Sequence, residues 1–180
     1  MSETLSAASR LCNACGMCCD GTLFHYVRLQ PRDSARALAA LGLKLKRKRK
    51  HDHIIQPCPA YRDSTCSIYP DRPERCRLFE CRQIKRLASG EINESDAAAK
   101  IREALDRLAQ IHELFERSGE SNPKGALTVR YEKVAAEPLS GLGPEVEALR
   151  LRLKKEMDEF EALLDAHFRI DPEQTSESSH

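Results

Sequence analysis

Apolar residues recur at helical spacing over two stretches in the second half of the chain. Ile101, Leu105, Leu108, His112 and Phe115 follow one another at alternating steps of four and three. Glu94-Ser-Asp96 supplies polar starting residues for that helix, and Ser118-Gly119 ends it. After Pro144, a second stripe runs through Val146, Leu149, Leu153, Met157, Phe160 and Leu164. A helix with one apolar stripe must bury it against something, and two neighbouring stripes predict an antiparallel helical hairpin. The connection from Glu120 to Gly143 is long for a turn, and Leu127-Thr-Val-Arg-Tyr131 within it reads as a short strand.

Upstream the pattern is less regular. A helix is expected over Asp33 to Leu43, capped by Asp33 or Ser34, and a short strand over Phe24 to Leu29. Pro57, Pro59, Pro70 and Pro73 imply an irregular, turn-rich chain around them. The expected fold is mainly α, with a cysteine-rich, metal-nucleated module over 11–90 and a C-terminal antiparallel helical hairpin over 91–170. The small polar ends, 1–10 and 171–180, read as disordered. There is no internal repeat.

Composition alters this picture in two ways. With aromatic residues at 5% and no Trp, the core must be built from Leu, Ile and Ala. Lys and Arg number 29 against 28 Asp and Glu, so overall charge points to neither a nucleic acid nor a membrane. Residues 1–10 lack the basic and apolar segments of a secretory signal, and no apolar run reaches about 18 residues. A cytoplasmic location without membrane attachment is expected. Thiols stay reduced there, and dense cysteine then reads as metal ligation rather than disulfides.

All eight cysteines lie between residues 12 and 81. The first cluster is Cys12-Asn-Ala-Cys15-Gly-Met-Cys18-Cys19, whose two-residue spacers let the chain wrap a metal while Gly16 permits a tight turn. The second comprises Cys58, Cys66, Cys76 and Cys81. Thiolates suit zinc or an iron–sulfur cluster and not calcium or magnesium. Adjacent Cys18 and Cys19 diverge by roughly 100° in a helix and roughly 180° in a strand. Cys76 and Cys81 lie about 140° apart around a continuous helix begun by Pro73, and converge only if that helix breaks. Two centres, or one cluster with spare thiols, therefore fit better than a single zinc. Cys12, Cys15 and Cys18 also begin the bacterial ferredoxin run, which then fails at Thr22; Cys58-Pro59 is a substitute ending. One partition is thus Cys12, Cys15, Cys18 and Cys58 around a cluster, leaving Cys19, Cys66, Cys76 and Cys81. Eight buried, unmetallated thiols are the bland alternative. A Cys12–Cys15 redox pair lacks the βαβ setting it would need.

These residues resemble the CxxCxxCC family of zinc- or iron-chelating proteins, the YkgJ type. The likeness rests on Cys12-Asn-Ala-Cys15-Gly-Met-Cys18-Cys19, Cys58-Pro59, Cys66-Ser-Ile-Tyr69 and Arg72-Pro-Glu-Arg-Cys76-Arg-Leu-Phe-Glu-Cys81, about the first half of the chain. It implies metal binding, with all eight cysteines as ligands. Members are described as zinc-chelating or as iron–sulfur oxidoreductases, and relatives of flagellin lysine methylases carry a similar module. Residues 91–170 lie outside the motif and inherit nothing from it.

Lys44-Leu-Lys-Arg-Lys-Arg-Lys50 holds six basic residues in seven. It could suit phosphate backbones of nucleic acid or a negative cluster surface, but reads first as a solvated strand or loop edge protected by its lysines. His25, His51 and His53 are expected to be exposed, and His112 and His167 to pack. Arg72, Arg75 and Arg77 flank Cys76, either donating to cluster thiolates or pairing with Asp71, Glu74 and Glu80. Tyr69 and Phe79 are expected to shield a metal. No GxSxG, HExxH, phosphate loop or dinucleotide fingerprint is present, and Thr22 occupies the third radical-SAM cysteine position. Two functions follow: a metal-binding accessory protein that docks a protein partner through the hairpin, or an iron–sulfur redox enzyme or electron carrier.

Overall fold

A computed structural model describes residues 6–120, 124–138 and 143–170. In chain order the elements are α1 (Ala7–Cys15), β1 (Tyr26–Arg28), α2 (Ala35–Ala40), β2 (Leu45–Lys48), β3 (His51–Ile55), β4 (Tyr61–Arg62), β5 (Thr65–Cys66), a 3-10 turn (Tyr69–Asp71), α3 (Glu74–Leu78), α4 (Arg82–Ala88), α5 (Glu94–Arg117), α6 (Leu127–Ala136) and α7 (Pro144–His167). The protein is mainly α, with small antiparallel sheets. Among the described residues no helix is long and apolar enough to cross a membrane. The chain forms two compact units: Met1–Leu11, Glu80–Gly119 and Pro138–His180 in one, and Cys12–Phe79 with Glu120–Glu137 in the other.

The first unit is built on α5 and α7, which pack along each other. Asn93 and Asp96 form a reciprocal capping box at the start of α5, satisfying two otherwise unpaired N–H groups. Ala97, Ile101, Ala104, Leu108, Ile111, Leu114 and Phe115 make its buried stripe. His112, expected to pack, is exposed, because the stripe drifts onto Ile111 as a 3.6-residue period requires. On α7 the buried residues are Leu153, Met157, Phe160 and Leu164. Arg107 pairs with Glu159 and Glu103 lies near His167, so the two helices run in opposite directions. The last carbonyls of α7 receive donors from α4: Gln83 Nε2 bonds to His167 O at 3.0 Å and Arg82 Nη1 to Ala166 O at 3.0 Å.

The start of this unit departs from expectation. Residues 1–5 and 171–180, read as disordered, lie outside the described residues, but α1 begins at Ala7. Ser6 Oγ accepts from Ser9 N–H in the manner of an N-cap, and Arg10 reaches Glu94 through two hydrogen bonds.

In the second unit β1, β3 and β2 form an antiparallel sheet with β3 central. Paired residues share a face, and Val27, Ile54 and Leu45 point to one side. They meet Leu29, Leu38, Leu43, Ala60 and Ile68, with Cys58 and Cys66 packed against the same core. The expected strand and helix appear in shortened form as β1 and α2. Ser34 caps α2 by accepting from Ala37 N–H, and Gly42 at φ +86° closes it. Asp33 instead ties two segments together. Its carboxylate accepts from Gln30 N–H at 2.7 Å and from Glu74 N–H at 2.9 Å, holding the start of α3. The basic run forms the edge strand β2.

Leu127-Thr-Val-Arg-Tyr131 is helical, not a strand, as the first half of α6. Leu127, Arg130 and Val134 are buried at steps of three and four, a period that five residues alone do not display. The buried Arg130 Nε bonds to Glu120 at 2.8 Å within the same unit.

The opposed stripes assign very different weights to two positions on α7. Phe160 is fully buried whereas Leu151 is 57% exposed. Urea unfolding should show Phe160→Ala losing about 3–5 kcal/mol and Leu151→Ala less than about 0.5 kcal/mol. Equal losses would contradict this helix register.

Candidate metal centre

The loop after α1 is held from two sides. Gly16 ends the helix at φ +66°, and Cys19 N–H and Asp20 N–H both return to its carbonyl, at 2.7 and 3.1 Å. A Cβ on Gly16 would collide with the Tyr61 hydroxyl, so Tyr61 on β4 closes over the turn. Gly21 sits at φ +91°, where a Cβ would stand 2.9 Å from the Ala126 backbone, and its carbonyl accepts from Leu127 N–H at 3.0 Å. The first cysteine cluster is thereby docked against β4 on one side and the start of α6 on the other.

Four cysteines from separate segments of this unit come within one another's electrostatic reach. Cys58 N–H donates to Cys19 O at 2.7 Å, which brings the second cluster to the first. The β4–β5 hairpin pairs Tyr61 with Cys66, and α3 carries Cys76. Burial, and after it the neighbouring Cys58, Cys76, Cys66 and Asp20, together push the Cys19 thiol up to about 12. Burial likewise lifts Cys76 to about 11, aided by Cys58 and Cys66 and opposed by Arg72. Cys58 is raised by burial and by Cys66, while the N–H groups of Ala60 and Tyr61 favour its thiolate. Desolvation keeps these sulfurs protonated until a positive centre compensates for it.

The ferredoxin-like partition set Cys58 with Cys12, Cys15 and Cys18; the backbone bond from Cys58 N–H to Cys19 O also brings Cys58 near Cys19, and Cys58, Cys66 and Cys76 all act on the Cys19 thiol. Cys12 and Cys15 lie on the last turn of α1, and Cys15 is near Tyr61. Cys18 is half-buried in the turn before Cys19. Cys81 belongs to the helical unit as the N-cap of α4. Burial raises its pKa, while the N–H groups of Ile84 and Gln83 oppose the rise. The helix does break between Cys76 and Cys81: α3 stops at Leu78, and Phe79 is extended at φ −74°, ψ 123°.

Several neighbours escaped sequence reasoning. Asp20 is half-buried beside Cys19, desolvation raises its pKa, and its carboxylate accepts from Thr22 N–H at 2.8 Å. Tyr61 faces Cys15, Cys19 and Asp20, and Asp33 faces Cys76. Only the position of Asp20 directly after Cys19 signalled any of them. Of the three arginines around Cys76, Arg72 acts on its thiolate, and its guanidinium also stacks 3.6 Å from the Tyr69 ring centroid. Phe79 packs edge-on against Phe24 at 5.0 Å. His25 and His51 are exposed as expected, but His53 is only 8% exposed because the central strand β3 carries it inside.

The donor set fits a thiophilic metal: neutral desolvated thiols, backbone N–H groups directed at sulfur and a nearby arginine all favour a bound thiolate. Spacing is more open. Among the described residues no three His, Cys, Asp or Glu side chains are grouped as one metal ion would require.

The thiol shifts fix the sign of an alkaline effect on metal-free protein. An ordinary thiol titrates near 9.0, whereas Cys76 and Cys19 are raised to about 11 and about 12. Their stabilising contribution is whole below pH 9 and is lost as pH rises through the folded values. Circular dichroism of reduced, metal-free protein should show that loss between pH 9 and 12, with a shallower slope in Cys19→Ser. An unchanged slope in the variant would contradict the burial of this thiol.

Comparison with known proteins agrees with this cysteine pattern. The family CxxCxxCC, described as a putative zinc- or iron-chelating domain, matches residues 11–101. No curated protein and no solved structure matches the chain. The match takes in all eight cysteines and half of the sequence, and the chain belongs to the CxxCxxCC family.

Proposed function

We propose that the chain is a metal-binding accessory protein whose principal centre is held by Cys19, Cys58, Cys66 and Cys76. The observation carrying this reading is that Cys58, Cys66 and Cys76, from a loop, a β-hairpin and a helix, all act on the desolvated Cys19 thiol in the turn after α1. A packed core has no use for acids such as Cys19, Cys58 and Cys76, whose pKa burial and neighbouring thiols raise. A thiophilic cation reverses that cost by stabilising all four thiolates together. Cys12, Cys15, Cys18 and Cys81 complete the family motif and are proposed as further metal ligands. Full thiolate coordination without an open position favours holding or carrying a metal over Lewis-acid catalysis.

A second reading, an iron–sulfur electron carrier or redox enzyme, is favoured by the open spacing of the described thiols. One tetrahedral zinc draws its sulfurs to about 3.8 Å from each other, given a Zn–S bond of about 2.3 Å. A [4Fe–4S] cluster places each thiolate on its own iron, so its ligands stand farther apart.

Anaerobic purification followed by metal and sulfide analysis separates these readings. Iron with acid-labile sulfide supports the cluster, and zinc in colourless protein supports the chelating module. In either case Cys19→Ser and Cys58→Ser should each lose most of the bound metal. Loss confined to Cys12→Ser, Cys15→Ser and Cys18→Ser would place the centre at α1 instead. Because metal binding is coupled to folding of the site, stripping with a strong chelator should raise amide exchange in 12–79 before 94–117. Unchanged protection in 12–79 of verified metal-free protein would contradict that coupling.

A further inference from the structure

Two of the large apolar side chains left exposed among the described residues meet in one place. Tyr26 on β1 is 38% exposed and Val129 on α6 is 46% exposed. Both line a half-open hollow of about 530 Å³ whose surface is mostly apolar. One wall is the sheet face turned away from the core: Tyr26 of β1, Lys46 and Lys48 of β2, and His53 and Ile55 of β3, set side by side by the strand register. Residues 124–126 and the first turn of α6 make the other wall. All of these residues belong to the cysteine-bearing unit. Exposed apolar residues scattered singly need no explanation, but two that share a concavity built from separate elements mark a docking surface.

The charge around the hollow says what docks there. Lys46, Lys48 and Lys124 are exposed along it, and no Asp or Glu is among its described lining residues. The acidic residue of β3, Asp52, falls on the opposite sheet face. A purely apolar partner would desolvate these ammonium groups without pairing them, which is costly. A partner with carboxylates beside an apolar side chain matches both the lining and the rim.

Tyr26 has the character of an interface anchor. Its ring meets His25 at 4.3 Å and His53 at 5.0 Å, both edge to face, and Lys48 Nζ lies over it at 5.2 Å. A tyrosine fixed in this way loses little side-chain freedom when a partner covers it. The same contacts disfavour a strand of nucleic acid, because Lys48 occupies a ring face on which a base would stack. A recess is equally unsuited to a bilayer, which takes up apolar surface that projects into it.

We propose that this hollow docks an acidic segment of a partner protein, with a bulky apolar side chain of that segment seated between Tyr26 and Val129 and its carboxylates on Lys46, Lys48 and Lys124. The walls lead directly into the thiol loops. Gln56 lines the hollow and is followed by Pro57 and Cys58. Ala126, on the other wall, backs onto Gly21, two residues after Cys19, where a Cβ would stand 2.9 Å from the Ala126 backbone. A partner seated here lies beside the loops of Cys19 and Cys58, whichever metal they hold.

Selection of a random nonapeptide display library on the full chain, metal-loaded as purified, tests the proposal, with fluorescence anisotropy of the enriched peptide to follow. Enriched peptides should carry a large apolar residue flanked by Asp or Glu. Lys46→Glu with Lys48→Glu should weaken the peptide at least about ten-fold at low salt with metal content unchanged, since both side chains are exposed. Added salt should narrow that gap. Val129→Asp sets a carboxylate at an exposed position of the apolar wall and should also cost about ten-fold. Leu151→Ala, an exposed apolar change in the helical unit, should leave binding unaltered. No enrichment, enrichment of basic or uncharged peptides, wild-type affinity in either hollow variant, or a loss in Leu151→Ala would overturn the proposal. So would a single-stranded RNA hexamer, or vesicles of phosphatidylserine and phosphatidylcholine, binding more tightly than the peptide through the same lysines.

Discussion

The half-buried thiols of Cys19, Cys58 and Cys76 lie within one another's field and cannot all ionise cheaply, and several segments of the cysteine-bearing unit share that constraint. Cys19, Cys58, Cys66 and Cys76 come from an N-terminal turn, a proline-flanked loop, a two-residue hairpin and a short helix. None of these segments is long enough to be stable by itself. Each is fixed by something outside it: Tyr61 over Gly16, Asp33 on the start of α3, Ala126 against Gly21, and the Leu38 and Ile54 core beneath Cys58 and Cys66. The pKa values of the Cys19, Cys58 and Cys76 thiols are raised because desolvation outweighs the N–H groups and the arginine that favour charge. On the proposed reading, a cation of high affinity for sulfur inverts that balance, and metal binding is then coupled to the folding of this unit.

The helical unit rests on different physics. Its stability comes from burial of Phe115, Phe160 and Phe168 with the aliphatic stripes of α5 and α7, and from caps that satisfy both ends. It contains a single cysteine, Cys81, at the N-cap of α4. One chain thus joins a unit held by apolar packing to a unit of short, cysteine-bearing loops.

Legibility in the sequence followed the length of the periodic signal. The helices α5 and α7 could be read because each displays its stripe over 24 residues and has a capping or proline signal at its start. Leu127–Tyr131 misled because five residues with two β-branched side chains show no period, and only Val134 completes the helical stripe of α6. His53 was misread for a related reason. The strand that buries it follows a two-residue turn at Arg49 and Lys50, both at positive φ without the glycine or asparagine that usually marks such a turn. The cysteines themselves were plain, as was the need for a break between Cys76 and Cys81. The approach of Cys58 to Cys19 was not, since it depends on a backbone hydrogen bond that spacing does not encode. The basic run read correctly as a strand edge, but a pocket beside it required the aromatic residues of β1 and β3 and the start of α6.

X-ray absorption at the metal edge of anaerobically purified protein tests the thiolate centre most directly, since it reports the donor atoms around the metal. The account predicts a first shell of sulfur alone, at about 2.3 Å if the metal is zinc. It also predicts loss of that signal in the Cys58→Ser variant. A first shell dominated by nitrogen or oxygen, or a sulfur shell unaltered in that variant, would contradict it.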